Sequence, residues 1–78
     1  MSQPPFAELL ADLFGVEPAE VVDDAGPTTI GAWTSMRHIQ LVVTLEEVYG
    51  VAFSADEIKS FRSVGDVRQA LTGRGVAV

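Results

Sequence analysis

Ser35 and His38 are the side chains whose types and spacing first suggest chemistry in this 78-residue chain. On a helix, residues three apart share a face. A serine beside an imidazole is the simplest arrangement of an activated nucleophile. No acid stands where it would orient the imidazole, and so short a chain has little room for a deep pocket. A hydrolase is therefore not expected. His38, the only histidine, reads instead as a partly buried side chain with a satisfied N–H. Metal chemistry has even less support. The chain has no cysteine, hence no thiolate ligand, cysteine nucleophile or disulfide. Asp23-Asp24 lacks the spaced ligands and central glycine of a calcium loop. What remains is Ser35 itself, a small hydroxyl between Thr34 and Met36 at the head of the longest helical pattern in the chain.

That pattern runs from Trp33 to Gly50. Wound at 100° per residue, Arg37, Gln40, Thr44 and Glu47 fall on one polar arc of roughly 80°. Met36, Ile39, Leu41, Val42, Val43, Leu45, Val48 and Tyr49 spread over most of the rest. A surface helix buries a narrower stripe, so this helix should sit between others with part of its apolar arc free. It is predicted over 35–49, with Thr34 or Ser35 as N-cap. Upstream, Phe6, Leu9, Leu10, Leu13 and Phe14 predict a helix from about 4 to 14. Pro4 and Pro5 lie in its first turn, and Gly15 is its stop. Residues 15–33 form a long connection. In it, Pro18–Val22 could make one helical turn burying both valines, Asp23–Thr29 reads as turn chemistry, and Ile30 and Trp33 are apolar anchors. Trp33 is most simply a plug that pins the loop to the core.

Downstream, Val51-Ala52-Phe53 is an apolar link. Ser54 and Glu57 form a capping box that opens a short helix through about Ser60, with Ile58 and Phe61 facing inward. Ser63-Val64-Gly65-Asp66 starts a last helix to about Thr72, burying Val64, Val67, Ala70 and Leu71. Gly73 and Gly75 end it, and the final residues are expected to fray. No stretch alternates as a strand would. The expected fold is all-α: one domain over 1–78, a small antiparallel four-helix bundle of three longer helices and one short, with a long loop between the first two.

Composition narrows the partners. With 47% hydrophobic residues the chain should fold, although a core this small stabilises it by only about 3–5 kcal/mol. The net charge of −6 is uneven. Glu8, Asp12, Glu17, Glu20, Asp23 and Asp24 meet no Lys or Arg in the first 24 residues, whereas acids and bases balance in the rest. Such a field repels nucleic acid and anionic membrane and attracts a basic protein patch. A DNA-reading helix would need to be basic, and the predicted second helix offers only Arg37 and His38 against Glu46 and Glu47. The N-terminus lacks the basic region of a signal peptide, and no apolar run approaches the ~18 residues of a membrane span. A cytoplasmic monomer is expected.

A more specific pattern joins these pieces. Thr34-Ser35-Met36 heads the second helix, Leu45-Glu46-Glu47 follows and the helix ends at Tyr49-Gly50. Phe14-Gly15-Val16 and Pro18-Ala19-Glu20-Val21 lie upstream, Phe53 and Ser63-Val64-Gly65-Asp66-Val67 downstream. Over nearly the whole chain this resembles the acyl carrier protein family, which includes polyketide and peptidyl carriers. Its motif is Asp-Ser-Leu at the head of the second helix, then a Leu-Glu-Glu run ending in an aromatic residue. The resemblance implies that Ser35 receives a 4′-phosphopantetheine arm from coenzyme A on a separate phosphopantetheinyl transferase. It implies a shuttle rather than a catalyst, with acyl, aminoacyl or polyketide cargo held as thioesters for loading and downstream biosynthetic enzymes. A serine at a helix N-terminus agrees with this, because a phosphodiester there meets free N–H groups and the positive end of the dipole.

The chain departs from the family pattern at Thr34, where Asp is usual, and at Met36, where Leu is usual. Arg37 and Gln40 stand on a helix face that is often acidic in the family, leaving Glu46 and Glu47 as its acids. This implies a dedicated partner set in a polyketide, nonribosomal peptide or other specialised pathway. Met36, Ile39 and Val43 lie side by side, either as an apolar docking patch beside Ser35 or as core. With Thr34, Arg37, Gln40, Glu46 and Glu47 they make up the expected partner face. The alternative function is a carrier-fold interaction domain that is never modified.

Overall fold

The computed structural model describes residues 5–78, and they form four helices without a strand. Helix α1 spans Phe6–Phe14, α2 Ser35–Tyr49, α3 Ala55–Ser60 and α4 Val64–Thr72, with a 3₁₀ turn at Pro18–Glu20. The expected four-helix bundle is what forms, with α3 the short member. Pro5 stands just before α1 rather than within it. The expected start at residue 4 lies outside the described residues.

Burial follows the helical period. Phe6, Leu10, Ala11 and Phe14 of α1 meet Leu41, Val42 and Leu45 of α2 and Val64, Val67 and Leu71 of α4 in one core. Leu10, Leu41, Leu45, Leu71, Val64 and Val67 are the fully buried side chains, so three helices build the interior. None of the residues of α3 is buried outright. Ile58 packs partly against the core, and Phe61, just past the helix, enters it. Gly50 ends α2 at φ 65°, a left-handed conformation that costs a side-chain-bearing residue energy.

The long connection is fastened rather than loose. The N–H groups of Val64 and Gly65, orphans at the start of α4, donate to Ala25 O at 2.8 Å and Asp23 O at 2.9 Å. Gly26 lies so close to this junction that a Cβ there would collide with the Arg62 carbonyl. Val21, Ala25, Ile30 and Trp33 are buried anchors. One expectation fails here. The turn at Pro18–Glu20 is too short to carry both valines inward, so Val21 is buried and Val22 stays 54% exposed.

The C-terminal segment makes contacts with the core beyond the glycine stops. Val76 N–H donates to Leu71 O at 3.0 Å, and Val76 and Val78 pack partly on the core. Arg68 lies over the Phe6 ring and donates to Asp23 and to Val78 O. Ala70, expected inside, is only half-buried, because the buried stripe of α4 is Val64, Val67 and Leu71. Arg74 covers Phe53 and reaches Ala52 O, Ala70 O and the Glu57 carboxylate, joining the end of α4 to the start of α3.

Candidate functional site

The head of α2 divides two tasks between neighbouring hydroxyls. Thr34 is the N-cap: its Oγ1 accepts the Arg37 N–H at 3.3 Å. Ser35 is the first helical residue, is exposed, and makes no side-chain hydrogen bond among the described residues. Of the two possible caps, the one in extended backbone takes the role, and the Ser35 hydroxyl is left free. The first turn of α2 holds no acid. Its leading N–H groups have no intrahelical acceptor, so an anion on Ser35 would meet donors and the positive end of the helix.

Beside Ser35 opens a cleft of about 590 Å³ between α2 and α3. Thr34, Ser35, His38 and Ile39 line one side, Ile58 and Lys59 the other. Most of its lining is apolar. Trp33 and Phe61 also contribute, and the two are linked through His38, whose ring stacks on Trp33 and meets Phe61 edge-on. Trp33 is 3% exposed and stacks on Phe14, 5.0 Å between centroids, so it is the plug expected from the sequence.

His38 is fully occupied within the fold. Its Nδ1 accepts the Trp33 indole N–H at 3.0 Å. That fixes the proton on Nε2, which donates to Ile58 O at 2.7 Å. Neither nitrogen is left to take a proton from Ser35, so the pair is not a nucleophile with its base. Among the described residues no cluster of His, Cys, Asp and Glu could hold a metal ion. Nor, among the described residues, is any helix long and apolar enough to cross a membrane.

The remaining sequence-selected residues fall into two groups. Met36, Ile39 and Val43 are 73%, 57% and 47% exposed, at the spacing of one helix face. Gln40 and Glu47 are exposed as well. Arg37 and Glu46 are engaged within the fold: Arg37 Nη1 donates to Leu13 O at 2.6 Å, and Glu46 accepts the Phe53 N–H at 2.9 Å. The arginine thus places a cation at the C-terminus of α1, whose last turn has none of its own. The acid secures the link from α2 to α3. Sequence reasoning passed over Ile58 and Lys59 as site residues, because their place opposite Ser35 comes from the packing of α3.

Comparison with known proteins identifies the family. The chain matches the family described as "Phosphopantetheine attachment site" over residues 5–71. It is similar to the meromycolate extension acyl carrier proteins of Mycolicibacterium aurum and Mycolicibacterium smegmatis, 30% identical to each over 61 residues. That stretch is 78% of this chain and 63% and 62% of the two relatives, so the chain spans less than two thirds of their length. The free hydroxyl, the acid-free helix start and the adjoining cleft suit a phosphodiester-linked arm. The chain belongs to the acyl carrier protein family, the domains that hold 4′-phosphopantetheine covalently.

Proposed function

We propose that Ser35 is the attachment residue and that residues 1–78 act as one carrier domain, a cytoplasmic shuttle rather than a catalyst. The observation that carries this reading is the division of labour at the head of α2. Thr34 caps the helix, so the exposed Ser35 hydroxyl has no structural duty. On a phosphopantetheinyl transferase, the Ser35 oxygen forms a bond to the phosphorus nearest the pantetheine. The pyrophosphate bond breaks, the serine proton passes to a base on the transferase, and adenosine 3′,5′-bisphosphate leaves. The terminal thiol of the arm then holds cargo as a thioester.

The cargo is proposed to be acyl, in a polyketide or related specialised pathway. Both relatives are by name acyl carriers, which favours acyl over aminoacyl or nonribosomal peptide cargo. Loading and downstream enzymes dock on the exposed face of Met36, Ile39 and Val43, flanked by Thr34, Arg37, Gln40, Glu46 and Glu47. The absence of an acid in the first turn of α2 favours partners that read apolar shape there more than charge. A second reading, an unmodified interaction domain, draws on Thr34 standing where the family has Asp.

One experiment separates the two. The protein is incubated with coenzyme A, magnesium and a broad-range transferase, and intact mass is measured. The expected outcome is one added arm on the wild type and none on Ser35→Ala. An unmodified wild type favours the second reading, and an arm that persists in Ser35→Ala moves the site elsewhere.

A further inference from the structure

Three of the five cations are committed to the fold. Arg37 is bound to Leu13 O, Arg68 to Asp23 and Val78 O, and Arg74 to Glu57 and to backbone carbonyls. Arg62 and Lys59 make no side-chain hydrogen bond or ion pair among the described residues, and of the two only Lys59 lines the cleft beside Ser35. It is also the one charged side chain in that lining.

The backbone of Lys59 is positioned by its neighbour. Ile58 O accepts from His38 Nε2 at 2.7 Å. His38 lies three residues after Ser35 on α2, so the two side chains share a face with Cβ atoms roughly 5–6 Å apart. Lys59 therefore starts one residue from a point fixed beside that face. Lys59 lines the same cleft as Ser35, and a flexible four-carbon stem carrying an ammonium can extend across it. Of the nearby acids, only Asp56 is unengaged among the described residues, and it is not paired with Lys59. The first turn of α2 has none, and Glu57 is held by Arg74 and by the Ser54 N–H.

We propose that Lys59 is a positioning residue for the loaded form: its ammonium pairs with the phosphodiester on Ser35 across the cleft and draws α3 toward the head of α2. This rests on Ser35 being the attachment residue. A point charge suits the task, because a phosphodiester carries one diffuse negative charge and a swinging arm needs no fixed bidentate geometry. The pairing makes the docking of α3 respond to loading, without any contact to cargo.

The test uses the full chain, apo and loaded, as wild type, Lys59→Gln and Lys59→Arg. Intact mass first establishes the arm on Ser35. Thermal unfolding and backbone amide spectra are then compared between apo and loaded forms. Loading is expected to raise the wild-type Tm by about 1–5 °C and to shift the amides of Ala55–Ser60. Lys59→Gln loses at least half of both effects, Lys59→Arg keeps them, and 1 M salt suppresses them. Lys59 is exposed, so the apo Tm of all three stays close. Equal effects in wild type and Lys59→Gln, or unmoved α3 amides in loaded wild type, overturn the role of Lys59 and leave Ser35 standing. A wild type that takes no arm overturns the Ser35 assignment and this proposal with it.

Discussion

From Leu41 to Tyr49, α2 is anchored by one buried face, while Val43 and Glu47 stay exposed on the other. Leu41 and Leu45 are fully buried, Val42 nearly so, and Glu46 ties the helix to the following link through the Phe53 N–H. From Ser35 to Gln40, the same helix leaves Met36 and Ile39 in solvent and is held by a threonine cap, the Arg37 bond to α1 and the hydrogen bonds of His38. Both halves carry large apolar side chains, so apolar type alone does not decide which of them are buried. What separates them is whether another element packs on the face. A long helix can thus be anchored mainly by one half through burial while the other half, secured by directional bonds, leaves apolar surface in solvent.

A pair of truncations in α2 should differ most in their effect. Leu45→Ala should cost about 2–5 kcal/mol, comparable with the whole stability of a domain this size, and leave the chain largely unfolded in a urea titration. Ile39→Ala should stay within about 0.5 kcal/mol of wild type. Equal losses would mean that both halves are core. His38→Ala comes next. It strips the acceptor from a buried Trp33 N–H and the donor from Ile58 O, an expected loss of about 1–3 kcal/mol by chemical denaturation, with Trp33 fluorescence shifting toward that of an exposed indole. His38→Gln, which can still accept and donate, should recover part of it.

The smallest effect is a pH dependence on the α3 side. The Arg74 hydrogen bond, and next the bond from the Ser54 N–H, hold the Glu57 carboxyl at a pKa of about 2 against an ordinary value of 4.5. A pKa lowered on folding gives a contribution fully present above 4.5 and lost as pH falls toward 2. Acid titration followed by amide shifts should therefore show Ala55–Ser60 and Arg74 moving together in that window. Glu57→Gln should flatten the response.

Much of the fold was legible because its determinants are local. The apolar spacing of α1 and α2, the Ser54–Glu57 capping box and the glycine stops each specify structure within a few residues. Val22 was misread because a turn three residues long rotates only one of two adjacent valines inward. The contacts of the C-terminal segment, Arg68 on Val78 O and Leu71 O on the Val76 N–H, were not legible because they lie outside any helical period. The site divides in the same way. Ser35 could be picked out from its neighbours and the resemblance they carry. The cleft could not, since Ile58 and Lys59 reach α2 only through packing. The Trp33–His38 bond spans five residues across a loop–helix junction, a separation that no regular period marks. Arg37 looked like a surface charge for partners, and no local signal revealed that it meets α1 twenty-four residues earlier.

Because α3 contributes no buried side chain and is held by the His38–Ile58 bond, the Arg74–Glu57 pair and its own caps, it has the fewest interactions to lose on a local excursion. Amide protons of Ala55–Ser60 should exchange with solvent through brief detachment of this one turn-and-a-half, far faster than those of Leu41, Leu45 or Leu71, which await global unfolding. The two walls of the cleft should therefore differ in how readily they open, and hydrogen exchange at the six-residue helix would report on the cleft itself.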